Sequence, residues 1–298
     1  MEATRQVNYF PDKSVDENER VHKMLEEVID HLEYVLLSKF KMGALVNPEH
    51  AVGRGHVVIR FQSGSERWVF RSPLHSREQL RRNLLAYRHV GLMKLMPEKV
   101  YHDGKCLIEK YVEGHPLSSA ASDASIIDLA HKLSRMHAIP ATHYGPLDFD
   151  LQGRYESAVA YFSRKPPIAV DRSDADLNES QERLLNAAVK RAAVMHPDLM
   201  NSGVFLGHGD LWRKNILVSS EGVRVIDWDR IGAYPPEYDL VFIAEAELTS
   251  QQQFLFLRHY GRPVNTSLLS WFNLRRTLLN GGLRLEKKVA RLQHLELV

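Results

Sequence analysis

Asp210 and Asn215 stand five residues apart, and Asp227 follows twelve residues later, all within VFLGHGDLWRKNILVSSEGVRVIDWD (204–229). Two carboxylates and an amide are hard oxygen donors. Mg2+ keeps several waters and takes phosphate oxygens readily, so one carboxylate and one amide oxygen suffice from the protein. Asn215 and Asp227 are read as that pair. A carboxylate preceding such an Asn on one loop is suited to orient a hydroxyl nucleophile and accept its proton, and Asp210 takes that role.

The elements that must position them are short. Val204 to Leu206 is an apolar run, Gly207-His208-Gly209 a turn, and Ile216 to Val218 a new strand, which places Asp210 and Asn215 on one loop. Ser219 to Gly222 reads as a hairpin turn, and the returning strand Val223 to Ile226 brings Asp227 back beside the loop.

HGDLWRKN resembles the catalytic loop of the aminoglycoside phosphotransferase and choline kinase-like family, relatives of protein kinases with His-Gly-Asp in place of His-Arg-Asp, and VIDWD resembles that family's magnesium-binding strand end. An H-x-D-x-x-x-x-N pattern alone is weak; its pairing with I-D-W-D across one hairpin is what makes it specific. The resemblance covers about residues 50–285 and implies an α+β, two-lobed protein-kinase-like fold, with a small antiparallel-sheet N-terminal lobe (1–112) and a mostly helical C-terminal lobe (113–298). It implies ATP or GTP with Mg2+ as cofactors and a small-molecule hydroxyl acceptor. His208 and Asp239 become supporting residues, with Asp239 bracing the catalytic loop from beneath. Arg213 and Lys214 are candidates to touch the γ-phosphate. Asp229 is left between assisting the metal and pairing with Arg230 or Arg213.

Upstream, the residues bear on nucleotide binding. Gly53 and Gly55 lie in a glycine turn leading into Val57-Val58-Ile59, which serves either as a plain hairpin or as a loop whose N–H groups close over phosphates. Arg71 ends the strand WVFRSP. By resemblance it holds the α- and β-phosphates; the alternative is a surface Arg at a strand end. The family pairs this basic residue with a Glu on the next helix, here 76–91, and the candidates are Glu78 and, by its distance to Pro97, Asn83. Lys110 and Val112 occupy the family's hinge, whose backbone groups hydrogen-bond adenine.

Composition excludes several other classes. The 298 residues are 44% hydrophobic and 26% charged, ordinary for a globular protein with a sizeable core. Cys106 is the one cysteine, which excludes a disulfide framework and fits a reducing cytoplasm; it reads as a buried small hydrophobe. No run approaches the roughly 18 apolar residues of a membrane span. A net charge of +2 and no basic stripe interleaved with aromatics argue against nucleic acid. There is no P-loop, H-E-x-x-H or G-x-S-x-G pattern.

Helical spacing predicts a helix over 17–40 through Leu25, Ile29, Leu32 and Leu36, and another from Ser122 or Asp123 to before Pro140 that ends on a packed His137. The C-terminal region is helical, with Trp271 and Phe272 as core candidates. From residue 241 it holds eight Lys/Arg and four Asp/Glu, a balance unlike the carboxylate-rich surface expected for a polycationic drug. The first acceptor is nonetheless an antibiotic or similar polyhydroxylated molecule. An amino alcohol such as choline is the second, for which Trp212, Trp271 and Tyr234 would have to form an aromatic box. A nucleotide-binding pseudokinase is the alternative of another class, resting on the doubtful partner of Arg71. Oligomeric state is left open.

Overall fold

A computed structural model of the chain describes residues 15–41, 46–52, 56–74, 76–164, 177–244, 246–279 and 284–294. The chain divides into two compact units, Met1–Glu113 and Gly114–Val298.

In the first unit, helix α1 (Val15–Val35) continues into a π-helical turn over Leu36–Phe40. Strands β1 (Val46–Val52), β2 (His56–Ser63) and β3 (Glu66–Pro73) precede α2 (Arg77–Val90), and β4 (Lys99–His102) and β5 (Leu107–Lys110) complete a five-stranded antiparallel sheet of order β1-β2-β3-β5-β4. Register decides the two faces of this sheet, because side chains alternate along a strand. Val57, Ile59, Phe61, Trp68, Phe70 and Ile108 share one face and pack with Leu25, Ile29, Leu32, Val35 and Leu36. Burying that apolar stripe is what seats α1, at about 25 cal/mol for each Å² removed from water. Val69, Arg71, Leu107 and Glu109 point to the opposite face. The Gly53–Gly55 turn lies outside the described residues.

The second unit opens with β6 (His115–Pro116) and α3 (Asp123–Met136), which Ser122 caps through Ser125 N–H, as the sequence predicts. Then follow β7 (Tyr144–Phe149), β8 (Gln152–Tyr155), α4 (Ala158–Phe162), α5 (Glu179–Ala193), α6 (Pro197–Asn201) and β9 (Phe205–Gly207). The hairpin β10 (Ile216–Ser219) and β11 (Gly222–Val225) leads to β12 (Gly232–Tyr234). Helices α7 (Glu237–Ala244), α8 (Ser250–Tyr260), α9 (Thr266–Leu279) and α10 (Leu285–His294) end the described chain. Two small sheets, β11-β10-β6 and β8-β7-β12-β9, frame the catalytic stretch. The sequence reads the apolar run before the loop as a strand, which is β9, but its pairing with β12 was not anticipated, since three residues carry too short an alternation to read. No helix among the described residues is long and apolar enough to cross a membrane.

Candidate active site

The three acidic and amide side chains are stitched together by backbone. Asn215 ends a 3-10 turn over Arg213–Asn215; its Nδ2 donates to the Asp210 carbonyl at 2.9 Å, and its own carbonyl accepts Ile226 N–H at 2.9 Å. The loop is thereby tied to the strand end that carries Asp227. With Nδ2 committed, Oδ1 is the atom Asn215 has left for a cation. Asp227 itself has φ 66° and ψ 61°, the left-handed region that Asp tolerates better than most side chains. That residue stops β11 at Val225 and starts a 3-10 turn over Trp228–Arg230. Asp229 therefore does not continue a strand in phase with Asp227.

Beneath the loop, Asp239 on α7 is 1% exposed and its carboxylate is saturated. Oδ2 accepts His208 N–H at 2.6 Å and lies 3.2 Å from His137 Nε2, and Oδ1 accepts Gly209 N–H at 2.8 Å. Burial opposes its ionisation, but these donors and the charge of His137 outweigh it and hold the carboxyl below its ordinary range. Gly209 is required here. It sits at φ +80°, and a Cβ would meet the Arg230 carbonyl at 2.3 Å. His208 is fully buried against Trp228, rings 4.6 Å apart, and accepts Asp210 N–H at Nδ1 (3.2 Å). Its Nε2, 3.1 Å from the Ile226 carbonyl, must then carry the proton. His208 thus connects the Asp210 loop to the strand end before Asp227 as well as to α7.

Asp210 is half-buried. Burial raises its carboxyl above the ordinary range, with Asp227 adding to the rise, while Arg230, whose Nε lies 3.8 Å from Oδ2, and Arg276 oppose it. Arg230 and Arg276 were not anticipated as neighbours of Asp210; nothing in local spacing connects α9 to this loop. The Arg276 guanidinium lies over the rings of Trp212 at 4.0 Å and Phe242 at 3.6 Å. Arg213 reaches Glu247 at 3.2 Å, and Lys214 is exposed. Of the aromatic-box candidates, Tyr234 and Trp271 are buried, the latter donating to the Val194 carbonyl, and Trp212 faces a guanidinium. Tyr234 and Trp271 are spent on packing, while Trp212 is exposed. His137 is the packed helix-end residue expected, and the added finding is that it touches Asp239.

In the first unit, Arg71 Nε donates to Glu109 Oε2 at 2.8 Å. Of the residues considered on α2, Glu78 pairs with Arg82 one turn along, and Asn83 Nδ2 donates to the Gln79 carbonyl at 2.9 Å. A carboxylate on Arg71 comes from β5. At the strand exit, Tyr111 N–H pairs with the Arg67 carbonyl, and Lys110 N–H with the Glu98 carbonyl. Lys110 N–H thus faces β4's side of the strand, and Val112 lies two residues beyond the end of β5. Lys110 N–H is already used, which leaves its carbonyl and the Val112 N–H as the adenine contacts to consider.

Such a loop, with its braced aspartate and hairpin return, is in keeping with a phosphotransferase of kinase-like fold acting on small molecules. The chain matches the model of the phosphotransferase enzyme family over residues 50–265, and it belongs to that family. Among solved structures, a thermostable mutant of aminoglycoside phosphotransferase APH(4)-Ia in its apo form is similar at TM-score 0.60 and 18% identity, covering 88% of this chain and 96% of that one. The GDP and kanamycin complex of an APH(2") enzyme is similar at 0.59 and 19%, covering 89% and 98%. Spectinomycin phosphotransferase APH(9)-Ia with ADP and spectinomycin is similar at 0.60 and 16%, covering 90% and 93%. These likenesses bear on the fold. No curated protein sequence matches.

Proposed function

We propose that the protein transfers the γ-phosphoryl group of ATP or GTP, with Mg2+, to a hydroxyl of a polyhydroxylated small molecule of the antibiotic class. The observation that carries this is the double stitch at Asn215, which ties the loop of Asp210 and Asn215 to the strand end before Asp227. Solved proteins of this fold are recorded with GDP, ADP and AMP-PNP, and with kanamycin, spectinomycin and hygromycin B.

Asn215 Oδ1 and the Asp227 carboxylate fit Mg2+, being hard oxygens with the amide nitrogen already turned inward. When bound there, the ion neutralises phosphate charge that builds in transfer. Asp210 aligns the acceptor hydroxyl and takes its proton onto the carboxylate, whose raised pKa makes it a stronger base than an ordinary Asp. Asp239, through His208 and Gly209, keeps that carboxylate in place. Arg71 holds the inner phosphates, and Lys110 and Val112 offer backbone groups to the base. A cytoplasmic location belongs to the same proposal and fits the free Cys106.

The test is nucleotide turnover with Mg2+ by the purified protein against aminoglycosides, other hydroxylated antibiotics, choline and ethanolamine, with Asp210→Ala as control. Acceptor-dependent turnover that disappears in the control is expected. Tight nucleotide binding with no turnover on any acceptor would count against the acceptor class, and turnover surviving in Asp210→Ala against the base.

A further inference from the structure

Arg71, Glu109 and Tyr87 form one polar chain from the sheet to α2. Val69 lies opposite Glu109 in the β3–β5 ladder, so Arg71, two residues along, is its diagonal neighbour on the same face. Long side chains span that diagonal. Glu109 is only 4% exposed. Its Oε2 accepts Arg71 Nε, and its Oε1 accepts the Tyr87 hydroxyl from α2. A carboxylate is tolerated at such depth when its oxygens are satisfied and its charge is met, and these two partners do both. Burial first, and then the Glu109 charge, push the Tyr87 hydroxyl well above its ordinary range, so it stays a donor.

The α2 residues nearest the family's pairing position have partners within their own helix. Glu78 is held by Arg82, Asn83 is hydrogen-bonded to its own helix, and the helix reaches the sheet one turn later, through a hydroxyl at Tyr87. A guanidinium carries its donors in a rigid planar fork, so pinning Nε sets the direction of the rest.

We propose that Glu109 positions Arg71 for the nucleotide phosphates, and that Tyr87 makes the seating of α2 part of nucleotide affinity. The carboxylate that holds Arg71 stands on a strand, and the helix is coupled to it through a tyrosine. The inference rests on the assignment of Arg71 to phosphate made above.

Equilibrium binding of ATP with Mg2+ to the full chain tests it, with Arg71→Ala, Glu109→Gln, Tyr87→Phe and the Arg71→Ala/Glu109→Gln double variant, each checked by a thermal melt. Glu109→Gln is expected to weaken binding about tenfold and Tyr87→Phe a few-fold, the range of lost hydrogen bonds to charged and neutral groups. In the Arg71→Ala background Glu109→Gln should add nothing, because a residue acting through another has no separate effect once that one is gone. KM for ATP should rise while KM for the acceptor stays put. Additive losses would show that Glu109 acts through the fold and overturn the proposal. Full affinity in Glu109→Gln, with affinity lost in Arg71→Ala, would overturn it while leaving the phosphate assignment standing. Undiminished affinity in Arg71→Ala would remove the assignment and the inference together. Should Glu109→Gln fail to fold, Tyr87→Phe decides alone, since it deletes one hydroxyl: full affinity in that variant overturns the coupling.

Discussion

At the scale of the residue, Asp210 carries a conflict between depth and charge. Burial raises its pKa, and Arg230 pulls it back. A base must be ionised, so the acid limb of the pH–rate profile should lie above the range of an exposed Asp. Arg230→Gln should move that limb to still higher pH, and a limb that stays put would show that Arg230 does not act on the base. The same shift has a sign for stability. A carboxyl whose folded pKa is raised contributes most when protonated, and that contribution is lost as pH rises through the folded value. At neutral pH the ionised Asp210 therefore costs stability, and Asp210→Asn should melt higher than wild type while turnover falls by roughly a thousandfold. A lower melting point would contradict the assignment of burial as the dominant influence.

At the scale of the element, α7 governs the loop through one side chain. Asp239 satisfies two backbone N–H groups and His137 together, and its pKa is lowered. Here the sign reverses: its stabilisation is present above the unfolded-state pKa and fades as pH falls through the lowered folded value. Asp239→Ala leaves those donors buried and should destabilise the chain by about 3 kcal/mol, from the range for breaking buried charged pairs. Denaturant unfolding at pH 7 measures it, and a loss below about 1 kcal/mol would mean that the brace is dispensable. Little of this was visible beforehand. Asp239 was placed by resemblance, whereas its contact with His137, the residue that ends α3, spans 102 positions and leaves no local trace.

At the scale of the whole molecule, nucleotide binding should register as stability. At a hundredfold excess over Kd, a ligand of the folded state adds about 2.7 kcal/mol. ATP with Mg2+ should accordingly raise the melting temperature of wild type, and Asp227→Ala should lose the magnesium-dependent part. An equal rise in that variant, with and without chelator, would separate Asp227 from the metal. The acceptor is a whole-molecule question too, and the aromatic side chains considered for a quaternary ammonium are occupied by the core and by Arg276.

The amino-acid sequence by itself determined the elements whose signal is local: α1 by its apolar stripe, α3 by a cap at Ser122 or Asp123, and the β10–β11 hairpin by its turn. These depend on neighbours three to twelve positions away, within reach of periodicity and capping. Tertiary structure alone decided which carboxylate meets Arg71 and which cations meet Asp210. Glu78 and Glu109 are chemically equal, and only the register of β3 on β5 puts one of them diagonally across from the guanidinium. Arg276 acts on the charge of Asp210 from α9, a long-range electrostatic influence that has no counterpart in the order of residues.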